Sequence, residues 1–224
     1  MAKKRIHHDD AVLVIGLGRF GGSIATELAR TDREVLAVDS RMERVQEYST
    51  VVTHAVAADV TNIEALRQIG ADAFGTAVVA VGSSIEASVL ITANLVELGV
   101  PNIWAKGVSE SHGKILTRIG ATHVVQPERE AGERVAHLLS DQLLDYTEVE
   151  PTFVIARMVA PEVLINRTLA QAATRRDYNV TVVGVKSAGS DFTYATADTK
   201  ISATDQIIVA GRPEDVDAFA KLGS

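Results

Sequence analysis

A run of branched apolar residues that breaks into three spaced glycines constrains the fold of this chain most strongly. Residues 12–15 read V-L-V-I, and Gly16, Gly18 and Gly21 follow in the spacing G-x-G-x-x-G. Beyond them, apolar residues recur at helical spacing, so the stretch predicts a strand, a tight turn and a helix. Gly16 permits the turn, Gly18 lets a phosphate approach the backbone, and Gly21 lets the helix pack on the strand. The helix N-terminus directs its N–H groups at that phosphate.

An acidic residue follows the glycines at the position where dinucleotide-binding folds recognise the ribose of a nucleotide. Asp39 ends the second predicted strand, residues 34–38, about 20 residues past the glycines. Its carboxylate can accept hydrogen bonds from both hydroxyls of a ribose, and it repels a ligand with a 2′-phosphate. The combination predicts an adenosine ligand such as ATP, ADP, AMP or NAD.

The acidic composition argues against a nucleic-acid-binding protein. The 224 residues include 22 Lys and Arg and 29 Asp and Glu, which gives a formal net charge of −7, whereas nucleic-acid phosphates attract basic surfaces. The absence of cysteine excludes disulfides and fits a reducing compartment. No apolar run approaches the roughly 20 residues that span a bilayer, so we expect a cytoplasmic protein.

The hydrophobic pattern predicts two domains. Six strands alternate with helices up to Val125, which indicates an α/β fold with a Rossmann-like, doubly wound parallel sheet. A helix that Pro127 opens is predicted to run to about Asp145. The remaining residues suggest a small α+β module. We therefore predict a nucleotide-binding domain over residues 1–145 and a regulatory domain over residues 146–224.

Several polar residues are predicted at one edge of the sheet, because ligands of such folds bind at the carboxyl ends of the strands. Asp59 and Thr61 follow the third strand, but these residue types also cap helices. Lys106 ends the fifth strand, where it can meet phosphate or remain a solvated lysine. Glu128 follows the sixth strand, where a carboxylate can simply complement the positive end of a helix.

In order, the motifs of this chain resemble those of the RCK (KTN) cytosolic regulatory subunits of Trk/Ktr-type potassium-uptake systems. The resemblance covers nearly the whole chain. It is carried by V-I-G-L-G-R-F-G-G, Asp39, A-D-V-T-N, W-A-K ending at Lys106, I-G-A-T-H-V-V-Q-P-E ending at Glu128, and N-R-T-L.

The resemblance implies a gating role rather than catalysis. Such subunits form a ring, a homo-octamer or a tetramer of dimers, beneath a membrane potassium-translocating subunit at the inner face of the cell membrane. ATP favours the conducting form and ADP the resting form. Arg19 would reach the γ-phosphate, and Glu128 would hold a cation near that phosphate, between neighbouring subunits. The candidate nucleotide-binding residues are Gly16, Gly18, Arg19, Phe20, Gly21, Asp39, Ser40, Asp59, Val60, Thr61, Val81, Gly82, Lys106 and Glu128.

Similar proteins also bind cyclic di-AMP in the second domain, through an apolar strand and an arginine. The matching residues here are Val163, Leu164 and Ile165 for the strand, and Arg175. The turn sequence departs from the family pattern at residues 172–174, which read A-A-T. Cyclic di-AMP is therefore the second ligand that the resemblance implies, and the alternative is an apolar strand beside a solvated arginine.

Two other functions use the same nucleotide motif. An NAD-dependent oxidoreductase would need a proton donor, but no histidine is visibly paired with a carboxylate, and no tyrosine has a lysine four residues later. A general adenylate sensor with a different partner would have the same ligand chemistry, so the sequence does not separate it from the gating role. A P-loop ATPase is disfavoured because G-x-x-x-x-G-K-[ST] is missing.

Overall fold

The computed structural model describes residues 10–139 and 143–223. The chain divides into two compact units, residues 1–128 and 129–224. The predicted domain boundary at residue 145 stays a prediction.

The first unit is built on a six-stranded parallel sheet in the order β3-β2-β1-β4-β5-β6. The strand order reverses between β1 and β4, which are hydrogen-bonded neighbours. This reversal is the topological switch point where such sheets bind ligands, and the predicted doubly wound sheet is confirmed. The strands are β1 (Val12–Ile15), β2 (Val35–Asp39), β3 (His54–Ala57), β4 (Thr76–Val79), β5 (Asn102–Lys106) and β6 (His123–Val125).

Apolar side chains cover both faces of this sheet because successive strand residues point to opposite sides. Leu13 and Ile15 pack with Leu66, Leu95 and other residues of one cluster, whereas Val12 and Val14 belong to a second cluster. None of the helices within the described ranges is long and apolar enough to cross a membrane. The helices of this unit are α1 (Arg19–Arg30), α2 (Met42–Tyr48), α3 (Ile63–Gln68), α4 (Ile85–Glu97) and α5 (Glu110–Ile119). The next helix, α6 (Pro127–Leu138), begins at the end of this unit and continues into the second.

The second unit contains a five-stranded antiparallel sheet in the order β10-β9-β11-β8-β7. Alternate residues of β8, including Val154 and Met158, are buried together with Val216 and Phe219 of the last helix. One face of the sheet thus carries the core of this unit. The elements are β7 (Leu143–Glu150), β8 (Phe153–Val159), α7 (Leu169–Ala172), α8 (Thr174–Asp177), β9 (Thr181–Lys186), β10 (Thr193–Tyr194), β11 (Gln206–Gly211) and α9 (Pro213–Ala220).

Two sequence-based assignments in this region were wrong. The helix that Pro127 opens ends at Leu138, and Asp145 lies in β7, where Tyr, Thr and Val favour a strand and Tyr146 pairs with Ala156. Residues 163–165 are not a strand: Glu162–Leu164 is a 3₁₀ turn after Pro161, and Leu164 is fully buried.

Candidate functional site

The glycine turn after β1 is shaped by the backbone that surrounds it. Gly16 has φ 94°, and a Cβ there would lie 3.1 Å from Cγ2 of Val81. A Cβ on Gly21 would lie 1.9 Å from the carbonyl oxygen of Gly16 and 2.7 Å from Cβ of Ala80. Gly21 therefore packs α1 against the turn and against Ala80, the residue after β4, as the motif requires.

Gly18 serves a different purpose from Gly21. It is the N-cap of α1, and a Cβ there would have no heavy atom within 4 Å. The space beside this backbone is open, and the first N–H groups of a helix have no intrahelical acceptor. No acidic residue lies in the first turn of α1, so the turn offers hydrogen-bond donors and a positive dipole to an anion.

Asp39 has a structural role that the sequence motif does not reveal. Its Oδ2 accepts a hydrogen bond from the N–H of Leu17 at 2.8 Å, and its Oδ1 accepts one from the N–H of Arg41 at 2.9 Å. Nε of Arg41 lies 3.6 Å from the same Oδ1. Asp39 thus fixes the glycine turn, and its remaining lone pairs can accept ribose hydroxyls. The sequence analysis did not single out Arg41 as a partner of Asp39. Its position two residues after the acid is the signal that could have identified it.

The segment after β3 contributes mainly local structure. Oδ1 of Asp59 accepts hydrogen bonds from the hydroxyl of Thr61 at 2.7 Å and from its N–H at 3.1 Å, and these bonds lower the pKa of Asp59. Asn62, rather than Thr61, caps α3. The side chain of Val60 is buried in the core, so only its backbone could face a ligand. Asp59 is exposed, and so is Ser40, the residue after β2.

A charged cluster lies at the ends of β5 and β6. Nζ of Lys106 donates to Oε1 of Glu128 at 2.7 Å. This bond is the main cause that lowers the pKa of Glu128, and the charges of Lys106 and Arg19 add to it. Nζ of Lys106 also lies 5.8 Å from the centre of the Phe20 ring, within the range of a cation–π contact. The expectation of a solvated lysine is wrong, because the Lys106 side chain is only 12% exposed.

The described residues bring most of the predicted nucleotide site together at one sheet edge. The glycine turn, Asp39, Gly82, Lys106 and Glu128 all follow or end parallel strands, and Lys106 approaches both Phe20 and Gly82.

The cation predicted at Glu128 is a separate point. Within residues 10–139 and 143–223 of one chain, no group of three or more His, Asp or Glu side chains could hold a metal ion, and the cation that Glu128 would hold between neighbouring subunits stays a prediction.

His112, near the start of α5, is a buried histidine that the sequence analysis did not single out. It is 1% exposed, its Nδ1 accepts the N–H of Val108 at 3.3 Å, and its Nε2 has no hydrogen-bond partner among the described residues. Burial lowers the pKa of His112, because desolvation disfavours the protonated ring. Its partner Val108 packs toward Gly82, which connects α5 to the candidate site.

The buried His112 predicts a loss of stability in mild acid. The unfolded chain takes up a proton at His112 below about pH 6.5, whereas the folded chain takes it up only at lower pH. The free energy of unfolding of the first unit should therefore fall as the pH drops from 6.5 to 5.5, by at most about 1.4 kcal/mol per pH unit from this group.

The measurement is urea unfolding followed by the fluorescence of Trp104, the single tryptophan of the chain, which lies in β5 of the first unit. His112→Gln is the matched variant, because its side chain can accept the same N–H without titrating. A difference between the two proteins that stays constant with pH would contradict a neutral, buried His112.

The residues assigned to cyclic di-AMP do not all line the cavity that Arg175 lines. A cavity of about 380 Å³ in the second unit is lined by residues of α7, α8 and β9 that include Arg175, and Nε of Arg175 donates to the hydroxyl of Thr181 at 3.1 Å. Val163, Leu164 and Ile165 do not line it. Binding of cyclic di-AMP stays a prediction.

Two domain families match this chain in succession. The TrkA-N domain family matches residues 12–127, and the TrkA-C domain family matches residues 153–222. Ktr system potassium uptake protein A of Bacillus subtilis (strain 168) is 36% identical over 211 residues, which cover 94% of this chain and 95% of the relative. Ktr system potassium uptake protein C of the same organism is 38% identical over 209 residues, 93% of this chain and 95% of the relative.

Solved structures share the fold at low sequence identity. The RCK domain of GsuK has a TM-score of 0.68 and 15% identity, and the match covers 99% of this chain and 49% of that chain. The GsuK channel gives a TM-score of 0.70 at 15% identity over 99% of this chain and 40% of that chain. This chain therefore spans less than half of those proteins, and the likeness is one of fold.

Proposed function

The chain belongs to the TrkA family of potassium-uptake proteins, with a TrkA-N domain followed by a TrkA-C domain, and from this membership we propose that it is a nucleotide-binding regulatory subunit of a potassium-uptake system. The relatives named for potassium uptake match over almost their full length. The proposed activity is regulation of transport, not chemical turnover.

One observation carries the nucleotide part of the proposal. The open turn at Gly18 lies at the topological switch point of the sheet, and the carboxylate of Asp39 is fixed beside that turn by the N–H of Leu17. The turn supplies donors for phosphates and the carboxylate supplies acceptors for a ribose. An adenine nucleotide, either ATP, ADP or NAD, fits both groups.

The distinction between ATP and ADP is assigned to Arg19. Its side chain is exposed at the first position of α1, and its charge acts on Glu128. A guanidinium forms strong hydrogen bonds with phosphate oxygens, so a γ-phosphate at this edge gains a contact that ADP lacks. A ligand shifts a conformational equilibrium only through such a difference in affinity.

The partner that the chain is proposed to regulate is a membrane potassium-translocating subunit. In this proposal, copies of the chain form a cytoplasmic ring, an octamer or a tetramer of dimers, that attaches to the inner face of the cell membrane through that subunit. ATP favours the conducting form of the assembly and ADP the resting form. The family membership supports this arrangement.

The test is reconstitution of the chain with the potassium-translocating membrane subunit from the same organism in lipid vesicles. Potassium flux should depend on the chain and should be larger with ATP than with ADP. Flux that is indifferent to the chain would overturn the regulatory role. Steady oxidation of NADH by the purified chain in the presence of a carbonyl substrate would favour an oxidoreductase instead.

A further inference from the structure

An exposed arginine lies beside the carboxylate at the sugar end of the candidate nucleotide site. Nε of Arg41 is 3.6 Å from Oδ1 of Asp39, and the side chain of Arg41 is 58% exposed, whereas that of Asp39 is 9% exposed. At this distance the contact is an ion pair and not a hydrogen bond. The guanidinium therefore compensates the charge of Asp39 without occupying its own N–H donors.

The backbone of Arg41 is fixed on both sides. Its N–H donates to Oδ1 of Asp39 at 2.9 Å. Its carbonyl oxygen accepts the N–H groups of Arg44 and Val45, in the first turn of α2, at 3.1 and 3.3 Å, and the Val45 side chain is buried. The Arg41 side chain consequently starts from a defined position next to the carboxylate.

The guanidinium of Arg41 keeps its hydrogen-bonding capacity. Within the part of the chain that the structure describes, its only ion pair is the one with Asp39, and its N–H groups make no hydrogen bond. Asp59, which follows the neighbouring strand β3, is bonded to Thr61 instead. A guanidinium has five N–H donors in a planar fork that matches phosphate oxygens. This fork is therefore available to an anionic group on the sugar of a ligand.

A phosphate on the ribose 2′-oxygen is the anionic group that would meet the fork. The carboxylate at the end of β2 accepts the ribose hydroxyls, so the 2′-oxygen would lie next to Asp39 and close to Arg41. The glycine motif alone predicts that Asp39 repels a 2′-phosphate. In the folded chain, however, this carboxylate is paired with Arg41, and both of its oxygens already accept backbone N–H groups. A nearby arginine is also the side chain that accommodates a 2′-phosphate in such folds.

We propose that Arg41 determines the specificity at the ribose, so that the site accepts adenine nucleotides with a 2′-phosphate, the class to which NADPH belongs, as well as those with a free 2′-hydroxyl. The inference rests on the proposed nucleotide site and adds a ligand class to it. The Arg41 fork binds two oxygens of the 2′-phosphate, while the phosphates on the 5′-oxygen lie at the Gly18 turn as they do in ADP.

The diagnostic property is the ratio of the affinities for two ligands that differ only in the 2′-phosphate. The wild-type chain should bind adenosine 2′-phosphate 5′-diphosphate at least as tightly as ADP. Arg41→Gln removes the fork but keeps the N–H that bonds to Asp39. Its affinity for the 2′-phosphorylated ligand should fall about tenfold or more, because hydrogen bonds between charged groups are lost, while its affinity for ADP should change little. Arg41→Lys should restore part of the loss, since an ammonium attracts phosphate without the bidentate geometry.

The experiment is calorimetric titration of the full chain with both ligands in one buffer, for the wild type, Arg41→Gln and Arg41→Lys. Arg44→Gln is the matched control, because Arg44 lies on the adjoining turn of α2 but its Nη1 pairs with Oε2 of Glu47 at 3.1 Å. This change should leave both affinities unaltered. Thermal melting of each variant confirms that it is folded.

Two kinds of result would overturn the inference. A wild-type affinity for the 2′-phosphorylated ligand that is about tenfold or more below that for ADP would show that repulsion by Asp39 prevails. An Arg41→Gln variant that binds both ligands as the wild type does, or that loses both affinities equally, would show that Arg41 does not contact the 2′-phosphate. Absence of ADP binding to the wild type would instead overturn the nucleotide site itself.

Discussion

Replacing Gly21 by alanine is expected to destabilise the first unit by about 3 kcal/mol or more. The new methyl group would lie 1.9 Å from the carbonyl oxygen of Gly16 and 2.7 Å from Cβ of Ala80. The first of these atoms belongs to the backbone, so rotation of a side chain cannot relieve the clash, and α1 must move away from β1. Urea unfolding followed by Trp104 fluorescence measures the loss, because Trp104 lies in β5 of the same sheet.

Replacing Gly18 by alanine should instead leave the stability nearly unchanged and weaken nucleotide binding. No heavy atom lies within 4 Å of a Cβ at Gly18, so Gly18→Ala should change the stability by less than about 1 kcal/mol. The variant should nevertheless bind both ATP and ADP more weakly, because the methyl group fills the space through which phosphates approach the backbone. Gly132→Ala, on α6 in the second unit, where a Cβ also has no heavy atom within 4 Å, is the control for a methyl group added to a different helix. Normal nucleotide binding by Gly18→Ala would contradict the placement of the phosphates.

Arg19→Ala is expected to remove most of the preference for ATP over ADP. A coupling of about 1–3 kcal/mol corresponds to a ratio of roughly 5- to 150-fold in affinity, and the contact of Arg19 with the γ-phosphate is the assigned source. The affinity of Arg19→Ala for ATP should therefore be lower than that of the wild type by about that factor, while its affinity for ADP should change little. Arg19 is exposed, so its removal should leave the fold intact.

The control for this variant is Arg30→Ala, at the other end of α1, where Arg30 pairs with Glu27 at 2.6 Å. It removes the same charge from the same helix but should leave both nucleotides unaffected. If Arg19→Ala lowered the affinities for ATP and ADP by the same factor, Arg19 would contact the α- or β-phosphate instead. The proposed switch would then lose its central residue.

The architecture of the first unit could be predicted because local signals agreed with each other. The apolar run at 12–15, the glycine spacing and Asp39 each indicated the same strand, turn, helix and strand, and Gly120, with φ 111°, ends α5 as a glycine stop signal predicts. Such agreement specifies a parallel sheet, in which ligand-binding residues share the carboxyl edge. The positions of Gly18, Asp39, Lys106 and Glu128 followed from that rule.

The second unit was harder because tertiary pairing outweighed local pattern. The end of α6 was placed at about Asp145, yet this residue pairs with Arg157 in the antiparallel ladder of β7 and β8 and forms an ion pair with Arg134 at 2.7 Å. The short strand β10 was missed, since its two residues are both exposed. Neither feature has a periodic signal in the sequence.

Side-chain environments in the candidate site also lay beyond sequence reasoning. A lysine at a strand end is usually solvated, and only the approach of β5 to the Phe20 ring and to Glu128 shows that Lys106 is buried. Likewise, the motif assigns Asp39 to a ribose, but its bond to the N–H of Leu17 depends on the three-dimensional path of the turn. The residue types were predictable, whereas their partners were not.

The central claim is that the carboxyl edge of the first sheet binds an adenine nucleotide and distinguishes ATP from ADP. Calorimetric titration of the wild-type chain with ATP, ADP and NADH in one buffer tests it most directly. We expect ATP to bind more tightly than ADP by roughly 5- to 150-fold. Equal affinities for ATP and ADP, or tightest binding of NADH, would contradict the proposed switch.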